Sequence, residues 1–146
     1  MKLRTALAAE RAGIRDFLAE SGLPTEDIDT APIEFILALD DGGMRGMVGV
    51  ESFDDIGLLR SLAVRPPLRG TGTGGTLVDA AESHARSAGL RRLVLLTQTA
   101  APFFAARGYA VIARDAAPAS VQRSAEFRSI CPASATCMIK RLDMAE

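Results

Sequence analysis

The chain has 146 residues, 48% hydrophobic and 24% charged, with a formal net charge of -1. That length is one domain's worth and enough to bury a core, so a single domain spanning 1–146 is expected, with no linker, repeat or low-complexity tract. The scattered charges offer no basic face to nucleic acid, no segment approaches the roughly 20 apolar residues of a membrane span, and Met1-Lys2-Leu3-Arg4-Thr5 lacks a signal peptide's apolar stretch, which makes the cytosol the expected compartment.

In chain order, a short strand over 2–5 precedes a helix over 8–20 that turns Ile14, Phe17 and Leu18 to one face and stops at Gly22. A short helical turn follows Pro24. Two antiparallel strands, 34–39 and 44–53, flank Asp41-Gly42-Gly43, and Asp54-Asp55 turns into a third strand over 56–64. After the glycine-rich segment, a helix over 74–88 carries Leu77, Val78, Ala81 and Ala85 inward and ends at Gly89; His84 falls on its surface. A strand over 93–96, a helix over 100–107, a strand over 109–113, a helical turn over 118–123 and a last strand over 136–142 complete the pattern. Antiparallel strands first and strand-helix-strand afterwards predict a mixed α/β sheet.

The most informative stretch joins the 56–64 strand to the 74–88 helix: Arg65-Pro66-Pro67-Leu68-Arg69, then Gly70-Thr71-Gly72-Thr73-Gly74-Gly75. Glycines adopt backbone conformations closed to other residues, so several N–H groups can converge on one point, and the helix start adds unbonded amides and a positive dipole end. A phosphate or diphosphate is the natural occupant. Gly70-x-Gly72-x-x-Gly75 also matches a dinucleotide fingerprint, but the glycines do not follow the strand directly and the next strand ends in Thr97-Gln98 without an acid for a ribose. No Gly-Lys-Ser/Thr follows, which removes a P-loop.

Leu62-x-Val64-x-Pro66-x-Leu68-Arg69-Gly70-x-Gly72-x-Gly74 resembles the acyl-CoA loop of the GCN5-related N-acetyltransferases, with Arg69, Gly72 and Gly74 at the fixed positions of Arg-x-x-Gly-x-Gly. Ala100-Ala101-Pro102-Phe103-Phe104-Ala105-Ala106-Arg107-Gly108-Tyr109 is similar to that family's Ala-x-x-Phe-Tyr-x-x-x-Gly-Phe segment. The resemblance covers most of the chain and implies the family's fold, in which the fourth and fifth strands splay and the pantetheine arm of acetyl-CoA lies between them. It implies backbone pairing from Leu62, Ala63 and Val64, a diphosphate held at Gly70, Thr71, Gly72, Thr73, Gly74, Gly75 and Thr76, and added charge from Arg69. A homodimer is a further expectation from the resemblance.

Acetyl transfer needs a neutral amine to attack the thioester carbonyl, a base for the ammonium proton, an oxyanion donor and a fate for the thiolate. Phe104 stands where the family's acid, a tyrosine, usually stands, and Tyr109 reads as core. Asp54 and Asp55 are turn formers before they are bases, so Glu51 and Glu126 are the candidate carboxylates, acting through water. Arg60 lies in a strand that should be buried on both faces, and its guanidinium therefore needs an anion: an internal Asp or Glu, or a substrate carboxylate held bidentate. Thr97 follows the fifth strand, where its hydroxyl either serves CoA, substrate and catalysis or caps the next helix.

Three stretches, Leu59-Arg60-Ser61-Leu62-Ala63-Val64, Leu95-Leu96-Thr97-Gln98-Thr99-Ala100 and the run from Ser124 to Ala135, look like the arsenic-resistance branch of the family. That implies acetylation of the α-amine of a toxic amino-acid analogue, with Arg60, Ser61, Thr97, Glu126 and Arg128 on the substrate. The alternatives are a non-catalytic acyl-CoA-binding module and a protein or peptide N-acetyltransferase. Cys131 and Cys137 have no metal spacing such as CxxC and read as free thiols, with binding of a thiol-seeking ligand the other reading.

Overall fold

Short apolar runs separated by polar turns produce seven β-strands, and a computed structural model of the chain, describing residues 1–130 and 134–142, arranges them in the order β1-β2-β3-β4-β5-β7-β6. The strands are β1 Lys2–Thr5, β2 Ile33–Asp40, β3 Gly43–Phe53, β4 Ile56–Val64, β5 Arg92–Thr97, β6 Ala110–Ile112 and β7 Thr136–Arg141. The helices are α1 Arg11–Glu20, α2 Thr73–Ser87, α3 Ala101–Ala105 and α4 Ala119–Gln122. This is the mixed α/β sheet expected. β1 and β4 match the sequence reading to the residue, most other ends differ by one or two, and the 8–20 helix starts three residues late because Ala8–Glu10 tightens into a 3₁₀ turn.

Two compact units divide the described chain, one formed by Met1–Glu51 with Leu59–His84 and the other by Ser52–Leu58 with Ala85–Glu146. In the first, β1 pairs antiparallel with β2 and β2 with β3. The stretch after Pro24 forms hydrogen-bonded turns over 26–30 in place of a helical turn, closed by the N–H groups of Thr30 and Ala31 on Asp27 O at 3.2 and 2.9 Å. Arg11 fastens this segment, donating to Ile28 O and Ile33 O at 2.9 Å each. Ile14, Leu18, Ile28, Phe35, Leu37 and Met47 form the buried cluster of this unit. Gly46 is required by a close approach: a Cβ there would stand 2.6 Å from Ala63 O.

In the second unit β4 pairs parallel with β5 through Ile56, Gly57 and Leu58 opposite Arg92, Leu93 and Val94. The six residues of β4 from Leu59 onward lie outside that ladder. β5 is paired along its whole length with β7, and β7 with β6. A two-residue turn precedes β4, where Asp54 takes φ +57, a left-handed position that Asp tolerates. Leu58, Val94, Val121, Phe127 and Cys137 pack as this unit's cluster. The segment expected as a late loop winds into a π-helical turn, Glu126–Ile130.

Leu58→Ala, at a fully buried position of this cluster, is expected to cost about 2–5 kcal/mol of stability, measured by urea unfolding. Acid adds a second test. Glu10 accepts from both Arg4 and the Leu7 N–H, which lowers its pKa to about 2. The stabilisation it contributes is present above the ordinary carboxylate range and is lost as pH falls towards 2, so Glu10→Gln should flatten that part of the stability-pH curve.

Candidate active site

β4 enters the site through a residue in strained backbone. Ser61 has φ +58 inside a strand, a left-handed conformation that costs a non-glycine residue about 1–2 kcal/mol. It breaks the alternation of the strand, so Ser61 and Leu62 are both part-exposed while Arg60 and Ala63 are buried.

Beyond β4 the chain turns through Pro66–Leu68, and Arg69 folds back so that its Nε donates to Val64 O at 3.1 Å. Only Gly70 and Gly72 of the four glycines have positive φ, at +82° and +90°; Gly74 and Gly75 already belong to the first turn of α2. The first i→i−4 bond of that helix runs from Thr76 N to Gly72 O at 3.0 Å, so the amides of Thr73 and Gly74 have no acceptor within the helix. The threonine hydroxyls brace the loop: Thr71 donates to Leu68 O, Thr73 lies 3.1 Å from the Thr71 hydroxyl, and Thr76 donates to Gly72 O at 3.1 Å. All three hydroxyls are engaged within the loop itself.

Beneath this surface Arg60 is fully buried. Its Nη1 and Nη2 grip both oxygens of Asp27 at 2.6 Å, and Nη1 also donates to Glu51 Oε1 at 2.9 Å. Nε reaches the Ser61 hydroxyl at 3.3 Å. Of the two partners open to Arg60, the structure therefore supplies the internal one, which corrects the expectation of a guanidinium offered to substrate: no face of Arg60 meets solvent. Asp27 was not singled out from the sequence. It is 33 residues from Arg60, and only the chain's return over α1 brings the two together.

Two carboxylates and one guanidinium share this site, and they are not equivalent. Asp27 takes two short charge-assisted bonds, Glu51 a single longer one. Burial consequently pushes the Glu51 carboxyl above its usual range, against the opposing pull of Arg60.

In the second unit Thr97 is part-exposed and its Oγ1 accepts the Ala100 N–H at 3.0 Å, so it closes the turn into α3. Glu126 is buried and Arg128 exposed on the π-helical turn. Phe104 is buried edge-on against Tyr109, with ring centroids 5.4 Å apart, and both are core residues. Cys137 is a free, buried thiol whose pKa burial raises, which makes it unreactive. Cys131 lies outside the described residues. His84 sits on α2 with Nε2 3.1 Å from Glu34 Oε1.

A model of the Acetyltransferase (GNAT) family matches residues 7–109, well over half of the chain. The chain belongs to this family. GNAT enzymes transfer acetyl groups from acetyl-CoA, and the match takes in β4, the glycine turn and α2. Among solved structures, N-acetylglutamate synthase from Neisseria gonorrhoeae, complexed with coenzyme A and N-acetyl-glutamate, is similar with TM-score 0.79 and 22% identity over 98% of this chain. This GNAT chain spans 35% of that synthase. A Mycobacterium tuberculosis protein in complex with CoA gives TM-score 0.78 and 24% identity, covering 97% of this chain and 99% of its own. A GNAT-family acetyltransferase from Staphylococcus aureus gives 0.78 and 15%, covering 97% and 98%. At these identities the shared feature is the fold. No described helix is long and apolar enough to cross a membrane.

Arg60→Ala would leave two buried carboxylates without their cation and is expected to cost about 3–5 kcal/mol in urea unfolding. For Glu51 the sign runs opposite to the usual carboxylate. Its raised pKa means the folded state binds the extra proton, so its contribution is full below the ordinary range and is lost as pH rises through the raised value. Glu51→Gln should remove that decline in the stability-pH profile.

Proposed function

We propose that the chain is an N-acetyltransferase carrying the acetyl group of acetyl-CoA to the primary amine of a small amino-acid-like acceptor. The observation that carries this reading is the junction of β4 with α2, where two left-handed glycines deliver unbonded amides to the head of a 15-residue helix. In this reading main-chain amides between Gly70 and Gly75, led by those of Thr73 and Gly74 at the head of the helix, take the diphosphate. Arg69, exposed apart from its Nε bond to Val64, adds charge, and Leu62, Ala63 and Val64 take the pantetheine arm as an added strand.

Glu51 is the proton acceptor in this scheme. Burial raises its proton affinity above that of an ordinary carboxylate, and a water relays the proton because the side chain is sealed from solvent. Asp27 and Arg60 hold its position. Phe104 has no proton to give, and a thiolate with a pKa of about 8–9 departs near neutral pH without an obligatory acid. Ser61, Thr97, Glu126 and Arg128 are assigned to the acceptor.

The finer assignment is to a toxic arsinic or phosphinic amino-acid analogue, supported by the resemblance of the stretches around Arg60, Thr97 and Glu126 to the arsenic-resistance branch. The amino-acid scaffold is supported by the N-acetyl-glutamate bound in the similar synthase. Acetylation removes the ammonium charge by which such an analogue passes for an amino acid. A non-catalytic acyl-CoA-binding module is the second reading, favoured by Phe104.

A thiol-release screen of amino acids and their arsinic and phosphinic analogues with acetyl-CoA tests cofactor, reaction and acceptor together. Release with an amino-acid-like amine is expected; CoA binding without release from any amine leaves the binding-module reading. Gly74→Ala, which adds a Cβ in a helical turn where alanine is favoured, should leave the fold intact and raise KM for acetyl-CoA at least tenfold. Glu51→Gln should lower kcat by about 10²–10⁴ with little effect on that KM.

A further inference from the structure

One edge of β4 carries an internal hydrogen bond where the acetyl-transfer reading places the pantetheine arm. Arg65 N–H donates to Arg45 O of β3 at 2.7 Å. The N–H and the carbonyl of one trans peptide point in opposite directions, so Val64 C=O, which shares that peptide, points away from β3. On that side β4 has left its ladder with β5 from Leu59 onward. A strand added there needs the Val64 carbonyl as an acceptor, and Arg69 Nε already holds it at 3.1 Å.

Two features make this contact exchangeable. Arg69 is exposed, so its guanidinium can swing without opening the core. It also stands immediately before Gly70, where the glycine turn begins, and a guanidinium binds a diphosphate more strongly than a neutral carbonyl. While the guanidinium exchanges, the Thr71, Thr73 and Thr76 hydroxyls, bonded within the turn, keep its shape.

We propose that Arg69 determines donor specificity: it keeps the Val64 carbonyl closed to acyl thioesters that end at pantetheine, and releases it when a diphosphate at the glycine turn draws the guanidinium away. The inference rests on the acetyl-CoA reading above. A donor without the diphosphate must break the Arg69 bond with nothing in return at the turn, whereas coenzyme A exchanges a neutral acceptor for an anionic one. Arg69 thereby couples recognition of the diphosphate to opening of the strand edge, a role beyond added charge.

Calorimetric titration of the full chain with coenzyme A, with ADP as the diphosphate probe and with pantetheine as the arm alone, tests this. Arg69→Ala is expected to weaken coenzyme A and ADP at least threefold and to tighten pantetheine at least threefold. Arg69→Met, which keeps the reach of the side chain and loses both charge and donor, should show the same opposite signs. A residue that only braces the turn would weaken all three probes, and one that only adds charge would leave pantetheine unchanged; either result, or pantetheine undetectable in native chain and variants alike, would overturn the proposal. A native chain that does not bind coenzyme A brings down the acetyl-CoA reading itself, whereas coenzyme A binding with pantetheine indifferent to the substitutions brings down the Arg69 assignment alone.

Discussion

A guanidinium taken wholly out of water must find its anions inside the protein, and in this chain that requirement organises the first unit. Arg60 is central to β4, Glu51 closes β3 and Asp27 lies in the turns after α1. Removing Arg60 would leave two carboxylates stranded at low dielectric, and removing Asp27 would take away both of its 2.6 Å bonds to the guanidinium and leave only the longer one to Glu51. The three segments are therefore locked in one arrangement by electrostatics as well as by the apolar cluster around Phe35 and Leu37. The Ser61 kink follows directly after Arg60, and its hydroxyl lies within reach of Arg60 Nε, so the strained residue is attached to the most firmly held side chain of the strand.

That anchoring matters for the glycine turn. Amides bind an anion well only when they are oriented before it arrives, since reorganisation would consume the interaction energy. Here the turn is braced from within by Thr71, Thr73 and Thr76 and from β4 by the Arg69 bond to Val64 O. The polar side chains spend their hydrogen bonds on the scaffold, which under the proposed reading leaves recognition to the main chain. The same inversion applies to Arg60, a charged residue in a substrate-like position whose fork is already filled by Asp27.

Much of the fold was legible in the sequence because its signals are local. Short apolar runs bounded by turn residues marked β2 to β4, the Asp54-Asp55 pair marked the hairpin turn, and Leu77, Val78, Ala81 and Ala85 marked the inner face of α2. The glycine turn was legible too, since left-handed backbone at Gly70 and Gly72 has a direct residue signature. Other features left no such mark. The π-helical turn at Glu126–Ile130 packs Phe127 into the second unit's cluster, and in the segment after Pro24 the Thr30 and Ala31 N–H groups close turns on the Asp27 carbonyl while distant Arg11 takes the Ile28 carbonyl.

By itself the sequence determined the order of elements, the glycine turn between β4 and α2 and the family resemblance, because each rests on residues close in the chain whose backbone preferences or motifs speak for themselves. It also required that Arg60 have a partner without saying which. Only the tertiary structure decided that Asp27 and Glu51 fill that role and that Thr97 closes a turn. The reason is physical: such pairings are fixed by strand register and by the return of distant segments, and the energy that selects them belongs to the buried arrangement and to no local stretch of chain.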